Sequence, residues 1–236
     1  EHTVTALAGA FGLRQLDAHL CAEEDKVTPL FAVKGGRRKR YIPYTDKPIN
    51  WHTDGYYNEP GQRVCAFILH CVRAANSGGE NALMDPEIAY IRLRDEDPDF
   101  IAALSRDDAM TIPPNEEDNA EIRGSRSGPV FWIDERDGTL GMRYTARTRS
   151  IAWRDDPVTR MATEKLRQMM AMGEPDILHY RLGPGEGILT NNVLHNRTGF
   201  TDSDNADEGR LVYRARFHDR IAGTSLADTC PREQRK

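Results

Sequence analysis

A chain of 236 residues with 39% hydrophobic and 29% charged content can bury one large core or two small ones, and reads as an ordinary globular protein. Its formal net charge of -5 argues against nucleic acid or an anionic membrane as the main partner. No stretch approaches the roughly 20 apolar residues of a membrane-spanning helix.

The opening "EHTVTALAGAFG" carries no basic-then-apolar signal and reads as the interior of a longer chain. Residues 4–20 have a mildly helical pattern, and the basic run "GGRRKR" at 35–40 is expected to be a solvated loop. "YIPYTDKPINWHTDGYYNEPGQ" (41–62) is rich in turns, whereas "RVCAFILHCVRAA" (63–75) is apolar and β-branched enough for a buried strand. Two short helices are predicted in "DPEIAYIRLRDEDPDFIAALSRDD", each opened by an Asp-Pro pair. Residues 108–129 are polar and predict a mobile excursion, either a lid over substrate or a loose loop. Strands resume in "PVFWIDERDGTLGMRYTARTR", where "RDG" marks a hairpin turn.

The strongest helix is "DDPVTRMATEKLRQMMAMG". Asp155 or Asp156 can cap it, Pro157 suits its first position, and Gly173 stops it. Val158, Met161, Ala162, Leu166, Met169 and Met170 make its apolar face. The chain returns to strands in "ILHYRLGPGEGILTNNVLHNRTGF" and "GRLVYRARFHD". With no repeat and no linker, a single domain over 1–236 is expected. Four cysteines, Cys21, Cys65, Cys71 and Cys230, form no CxxC pair, which favours a reduced, cytoplasmic protein.

The chain has seven histidines, each a candidate for metal or acid-base chemistry. His2 and His19 have no second ligand nearby, His70 sits in an apolar strand as a core imidazole would, and His179 and His218 have no evident partner. His52 differs, because Asp54 follows two residues later in "INWHTDGYY", and alternate strand residues share a face. Two His and one carboxylate on one face of an octahedral metal leave three positions open, which suits non-haem Fe(II). A chelating 2-oxoglutarate fills two of those positions, and its far carboxylate then needs a cation such as an arginine fork. His195, in "VLHNRTGF", closes an apolar run, and "GRLVYRARF" places Arg210, Arg214 and Arg216 on one strand face. Inward-facing arginines need anions to meet them, and outward-facing ones are ordinary solvated side chains. Strand parity leaves both readings open, as well as the division of roles among the three.

These motifs together resemble the taurine dioxygenase-like Fe(II)/2-oxoglutarate oxygenases: "NWHTD", "SGGENAL" about 25 residues on, "VLHNRTGF", and "RLVYR". "MRYTARTR" and "LHNRTGF" look closer to the γ-butyrobetaine hydroxylase branch. The resemblance covers residues 50–217 and implies a mainly β fold, a double-stranded β-helix (jelly roll, cupin-like) with inserted and flanking helices. It implies that His52, Asp54 and His195 bind Fe(II) and that Arg210 clamps the 5-carboxylate of 2-oxoglutarate. Asn81 stands where the family usually has a threonine that bonds the same carboxylate. Arg214 stands where taurine dioxygenase holds the substrate's anionic group, and the segment "LTNN" before His195 departs from the usual Asp-Asn-Arg.

The implied activity is oxidative decarboxylation of 2-oxoglutarate to succinate and CO2, with O2 consumed and a small, anionic or amino-acid-like substrate hydroxylated. Tyr56, Tyr57 and Trp51 flank the metal motif as candidate pocket walls, while Arg143, Arg147 and Arg149 could favour an anion. The expected partner is this small molecule, with no nucleic acid or membrane, and a homo-oligomer is compatible. Two alternatives stay open: a Zn-dependent hydrolase or isomerase on a cupin-like barrel, and a non-catalytic jelly-roll binding module.

Overall fold

The computed structural model describes residues 2–18, 26–117, 120–147, 151–171, 175–203, 205 and 208–226. Expectations that rest on His19, Cys21, Arg149, Gly173 and Cys230 lie outside the described residues. Eight strands form the framework: β1 (Thr28–Leu30), β2 (Ile49–His52), β3 (Ala66–Arg73), β4 (Asn81–Met84), β5 (Leu178–Tyr180), β6 (Gly187–Asn191), β7 (Leu194–Arg197) and β8 (Leu211–Phe217). They make two four-stranded sheets, ordered β1-β8-β3-β6 and β5-β4-β7-β2, and every pairing is antiparallel.

Period-two patterning decides which face of each strand is covered. On β3, Phe67, Leu69 and Cys71 pack with Val212 of β8 and with Leu30, Tyr44 and Leu182. The alternate residues Ala66 and Ile68, with Ala215 and Phe217 of β8, pack instead on Val4 and Ala8 of helix α1 (His2–Ala10). In the second sheet, Ala82, Met84 and Leu194 join a large core. Helices α2 (Pro86–Glu96), α3 (Pro98–Leu104) and α4 (Pro157–Ala171) complete that core through Leu93, Phe100, Leu104, Leu166 and Met169. The residues left over, Asn81, His195 and Arg197, take the opposite face, so one sheet surface is apolar and the other carries chemistry. Phe67 of β3 meets the His195 ring at 4.6 Å, which brings the two sheets together at that surface.

The Asp-Pro helices form as expected. Asp85 caps α2 by accepting from Glu87 N at 2.9 Å, and Asp97 caps α3 through Asp99 N. For α4 the cap is Asp156, which accepts from both the backbone N and the hydroxyl of Thr159. That pair turns Thr159 into the core, while Met161, expected there, is 58% exposed. Helix α1 stops at Ala10, earlier than the pattern over 4–20 suggested, because Gly12 takes a positive φ of 78° and turns the chain away. Arg37–Arg40 form one 3-10 turn. Phe131–Ile133 and Leu140–Met142 pair as the expected hairpin.

The described part of segment 108–129 contains strands that its polar composition did not predict. Met110–Ile112 is the central strand of a three-stranded sheet, between Ala152–Trp153 and Arg126–Gly128. Met110 and Ile112 are fully buried, and Asn115–Glu117 pairs with Ala120–Arg123. Average polarity hid two apolar anchors and the backbone pairing of 110–112 with 126–128 and of 115–117 with 120–123. Cys65 and Cys71 are free thiols, and among the described residues no helix is long and apolar enough to cross a membrane.

Candidate metal centre

Antiparallel register places His195 of β7 directly opposite His52 of β2, with ring centroids 4.2 Å apart. Asp54 lies beyond the end of β2, at the start of a turn, and is therefore aimed by the turn rather than by strand alternation. Gly55 has φ of 65°, and Asn58 N returns to Gly55 O at 2.8 Å, which closes that turn. Thr53, fully buried, is tied through its hydroxyl and its amide to the backbone of Tyr144. The result is a group, His52, Asp54 and His195, whose ligand atoms all lie within 4.8 Å of one another.

These side chains fit a metal ion. His52 Nδ1 is 2.9 Å from Asn50 O, and His195 Nδ1 is 2.9 Å from Val193 O. With Nδ1 protonated toward a carbonyl, each ring offers Nε2 as a lone-pair donor. Burial, followed by the neighbouring His195, pushes His52 down to about 3, and burial also lowers His195, so both rings are neutral as ligands require. Burial alone would raise the Asp54 carboxyl, but Arg214, then Arg216 and the two imidazoles, hold it well below the usual carboxylate range. Its Oδ1 accepts from Arg214 Nη1 at 3.2 Å, while Oδ2 is buried with no hydrogen-bond partner. An orphaned buried carboxylate oxygen beside two free imidazole lone pairs is a cation-shaped arrangement.

Sequence reasoning passed over Asn192. Its Oδ1 accepts from Asp54 N at 2.8 Å, and its Nδ2 donates to Asp54 O and Val64 O, both at 2.8 Å. The "LTNN" departure therefore supplies the brace for a ligand 138 residues away. Asn192→Ala is expected to lower Fe(II) affinity by about 10- to 100-fold while the fold persists, as loss of outer-shell support does in metal sites. An anaerobic metal titration checks this.

The arginines separate by their partners. Arg210, Arg214 and Arg216 face inward with Val212 and are largely buried. Arg216 Nη2 pairs with Asp17, and its Nη1 donates to Tyr57 Oη at 3.0 Å. Arg210 is 6% exposed, stacks on Phe200 at 5.1 Å, and has Nη1 without a partner. Arg197, unremarked in the sequence, stacks on the same ring at 4.8 Å and donates to Thr45 O and Lys47 O. Burial, with the charge of Arg210 second, pushes Arg197 down to about 9. Asn81 is buried, with its amide 3.5 Å from Tyr180 O.

A cleft of about 820 Å³ opens at His52 and Asp54, lined by Tyr56, Tyr57, Arg214 and Arg216. Its wall includes Ile112, Pro113 and Asn115 from segment 108–129, expected as a lid or a loose loop. Trp51 is turned away from the cleft by strand alternation and packs on the helical core. Residues 144–146 run alongside β2: Thr145 bridges to His52, and Ala146 N donates to Trp51 O at 2.8 Å. Thr145 and Arg147 thereby line the cleft, whereas Arg143 does not line it and donates to Met110 O and Gly128 O. His179 lies near Glu80, and His218 near Asp17 and Arg63 O, all apart from the metal group.

Among solved structures, the non-haem iron oxygenase OrfP in complex with Fe and alpha-ketoglutaric acid superposes with a TM-score of 0.66 at 17% identity, covering 92% of this chain and 63% of that one. Asparagine oxygenase (AsnO) superposes with a TM-score of 0.60 at 22% identity, covering 90% and 62%. A uridine-5'-phosphate dioxygenase from Amycolatopsis sp is 31% identical over 173 residues, 66% of this chain and 56% of that protein. The one from Streptomyces sp is 27% identical over 222 residues, 90% of this chain and 77% of that protein. The chain thus spans little more than half the length of the Amycolatopsis relative. The taurine catabolism dioxygenase model (TauD, TfdA family) matches residues 1–216, and the chain belongs to that family.

Proposed function

We propose that this chain is an Fe(II)/2-oxoglutarate-dependent dioxygenase that hydroxylates a small anionic substrate. The observation that carries the reading is the buried, partnerless Asp54 Oδ2 beside two imidazoles whose Nδ1 atoms are already spent on backbone carbonyls. The strand order supports a double-stranded β-helix: eight strands divide into two antiparallel four-stranded sheets, and every connection but β4–β5 crosses from one sheet to the other. Family membership supports a single oxygenase unit.

In this reading His52, Asp54 and His195 would hold the iron. The bound metal would supply O2 activation coupled to decarboxylation of 2-oxoglutarate to succinate and CO2. The chain's own residues bind and orient. Arg210, buried with an unspent Nη1, meets the 5-carboxylate of 2-oxoglutarate, and Phe200 fixes the plane of its guanidinium. Asn81 donates its amide to the same group. Arg214 holds Asp54 Oδ1 in place and faces the cleft, where it contributes to binding an anionic substrate. Tyr56 and Tyr57 exclude water from one wall.

Anaerobic titration of the Fe(II)-loaded protein with 2-oxoglutarate tests this directly: a visible metal-to-ligand charge-transfer band is expected. Iron binding without such a band would overturn the oxygenase reading and favour hydrolytic metal chemistry. Arg210→Gln is expected to raise the 2-oxoglutarate Kd by roughly 10- to 100-fold, the worth of a charge-assisted pair in a buried site. An unchanged midpoint in the same titration would remove Arg210 from the co-substrate site.

A further inference from the structure

The cleft at the metal centre carries more positive charge than its own carboxylates balance. Arg216 is paired with Asp17, Arg214 with Asp54, and Arg126 with Glu59. Two further cleft residues, Arg123 and Arg147, have no carboxylate partner among the described residues. Both share the cleft lining with Tyr56. Arg123 also donates to Gly124 O and Pro113 O at 2.8 Å, which anchors its guanidinium to the segment that walls the cleft. Arg147 directly follows residues 144–146, which are laced to β2.

We propose that Arg123 and Arg147 form the subsite for a phosphate monoester on the substrate, and that the substrate class is a nucleoside monophosphate. This rests on the oxygenase reading above. Two guanidiniums in one cleft match a group of charge about -1.5 to -2 with three acceptor oxygens better than a single carboxylate does. Partial burial makes those unbalanced cations costly without an anion, and it lowers Arg123 from its ordinary value. The cleft's roughly 820 Å³ exceeds what an amino acid fills and suits a nucleotide, with Tyr56 and Tyr57 offering aromatic surface for a planar base. The uridine-5'-phosphate dioxygenases are similar over 66% and 90% of this chain, so uridine 5'-monophosphate is the natural probe.

Calorimetric titration of the full chain with uridine 5'-monophosphate and with uridine, with and without metal, decides the matter. The monophosphate is expected to bind about tenfold or more tighter than uridine. Arg147→Gln is expected to erase that preference while the 2-oxoglutarate charge-transfer band is unchanged, and Arg123→Gln to reduce it. Equal binding of the two ligands by the wild type overturns the subsite, as does a preference that survives Arg147→Gln. If Arg147→Gln does not fold, Arg123→Gln decides: a reduced preference supports the subsite, and an undiminished one overturns it. A missing charge-transfer band in the wild type would instead sink the oxygenase reading, while phosphate preference in the metal-free protein would still be read separately.

Discussion

His195→Ala should cost the protein its iron, and with it the charge-transfer band and turnover. The reason is geometric. His195 and His52 face each other across the β7–β2 ladder, with ring centroids 4.2 Å apart, and among the described residues no further His, Cys, Asp or Glu joins the group with Asp54. Loss of outer-shell support alone lowers metal affinity by about 10- to 100-fold, and loss of a ligand should exceed that. The fold should persist, because the large helical core is built on the opposite face of the second sheet, through Ala82, Met84 and Leu194. Metal content after dialysis, followed by the anaerobic 2-oxoglutarate titration, checks it. Stoichiometric iron with an intact band in His195→Ala would remove His195 from the site. Near-total loss beside the graded loss in Asn192→Ala would separate a ligand from a brace.

Asp17→Asn should destabilise the protein by about 3–5 kcal/mol, the usual cost of leaving one member of a buried ion pair uncompensated. Asp17 and Arg216 are 3% and 2% exposed and pair directly. Asn58 donates to Asp17 Oδ1 at 3.0 Å, and Tyr57 Oη accepts from Arg216 at 3.0 Å, so the pair also fixes the cleft floor. Burial opposes the charge on Arg216, yet Tyr57, Asp54 and Asp17 outweigh it and keep the guanidinium firmly protonated. Removing the carboxylate therefore strands a charge that cannot neutralise itself. For a chain of this size the expected Tm drop is roughly 6–20 °C. Replacing both members with apolar residues, as in Asp17→Leu with Arg216→Met, should recover much of the loss. A Tm unchanged in Asp17→Asn would show that water or another group already satisfies Arg216.

Local pattern determined a good deal of this protein. The Asp-Pro pairs announced α2 and α3 because capping is decided within a few residues, by a carboxylate and the amides just beyond it. His52, Asp54 and His195 were legible as a group because the chemistry demands particular residue types, and few sequences supply them together in that order. Composition also bounded the partners through charge, although the net value of -5 concealed a cleft walled by five arginines.

What the sequence left open was decided by register between distant strands. Whether Arg210, Arg214 and Arg216 face inward depends on which side of β8 the second sheet lies, and parity is symmetric in that respect. Asn192 became a brace because the β6–β7 connection passes beside Asp54, and nothing near residue 192 encodes a neighbour 138 residues away. Asp54 reaches His52 through a turn that Gly55 permits, rather than through the strand alternation that the HxD spacing suggests. The segment 108–129 looked unanchored because its polar average masked Met110 and Ile112, whose burial exists only once the strands at 126–128 and 152–153 arrive from elsewhere in the chain. Residue types fixed the chemistry, and long-range hydrogen-bonded pairing, which carries no local signature, fixed where that chemistry converges.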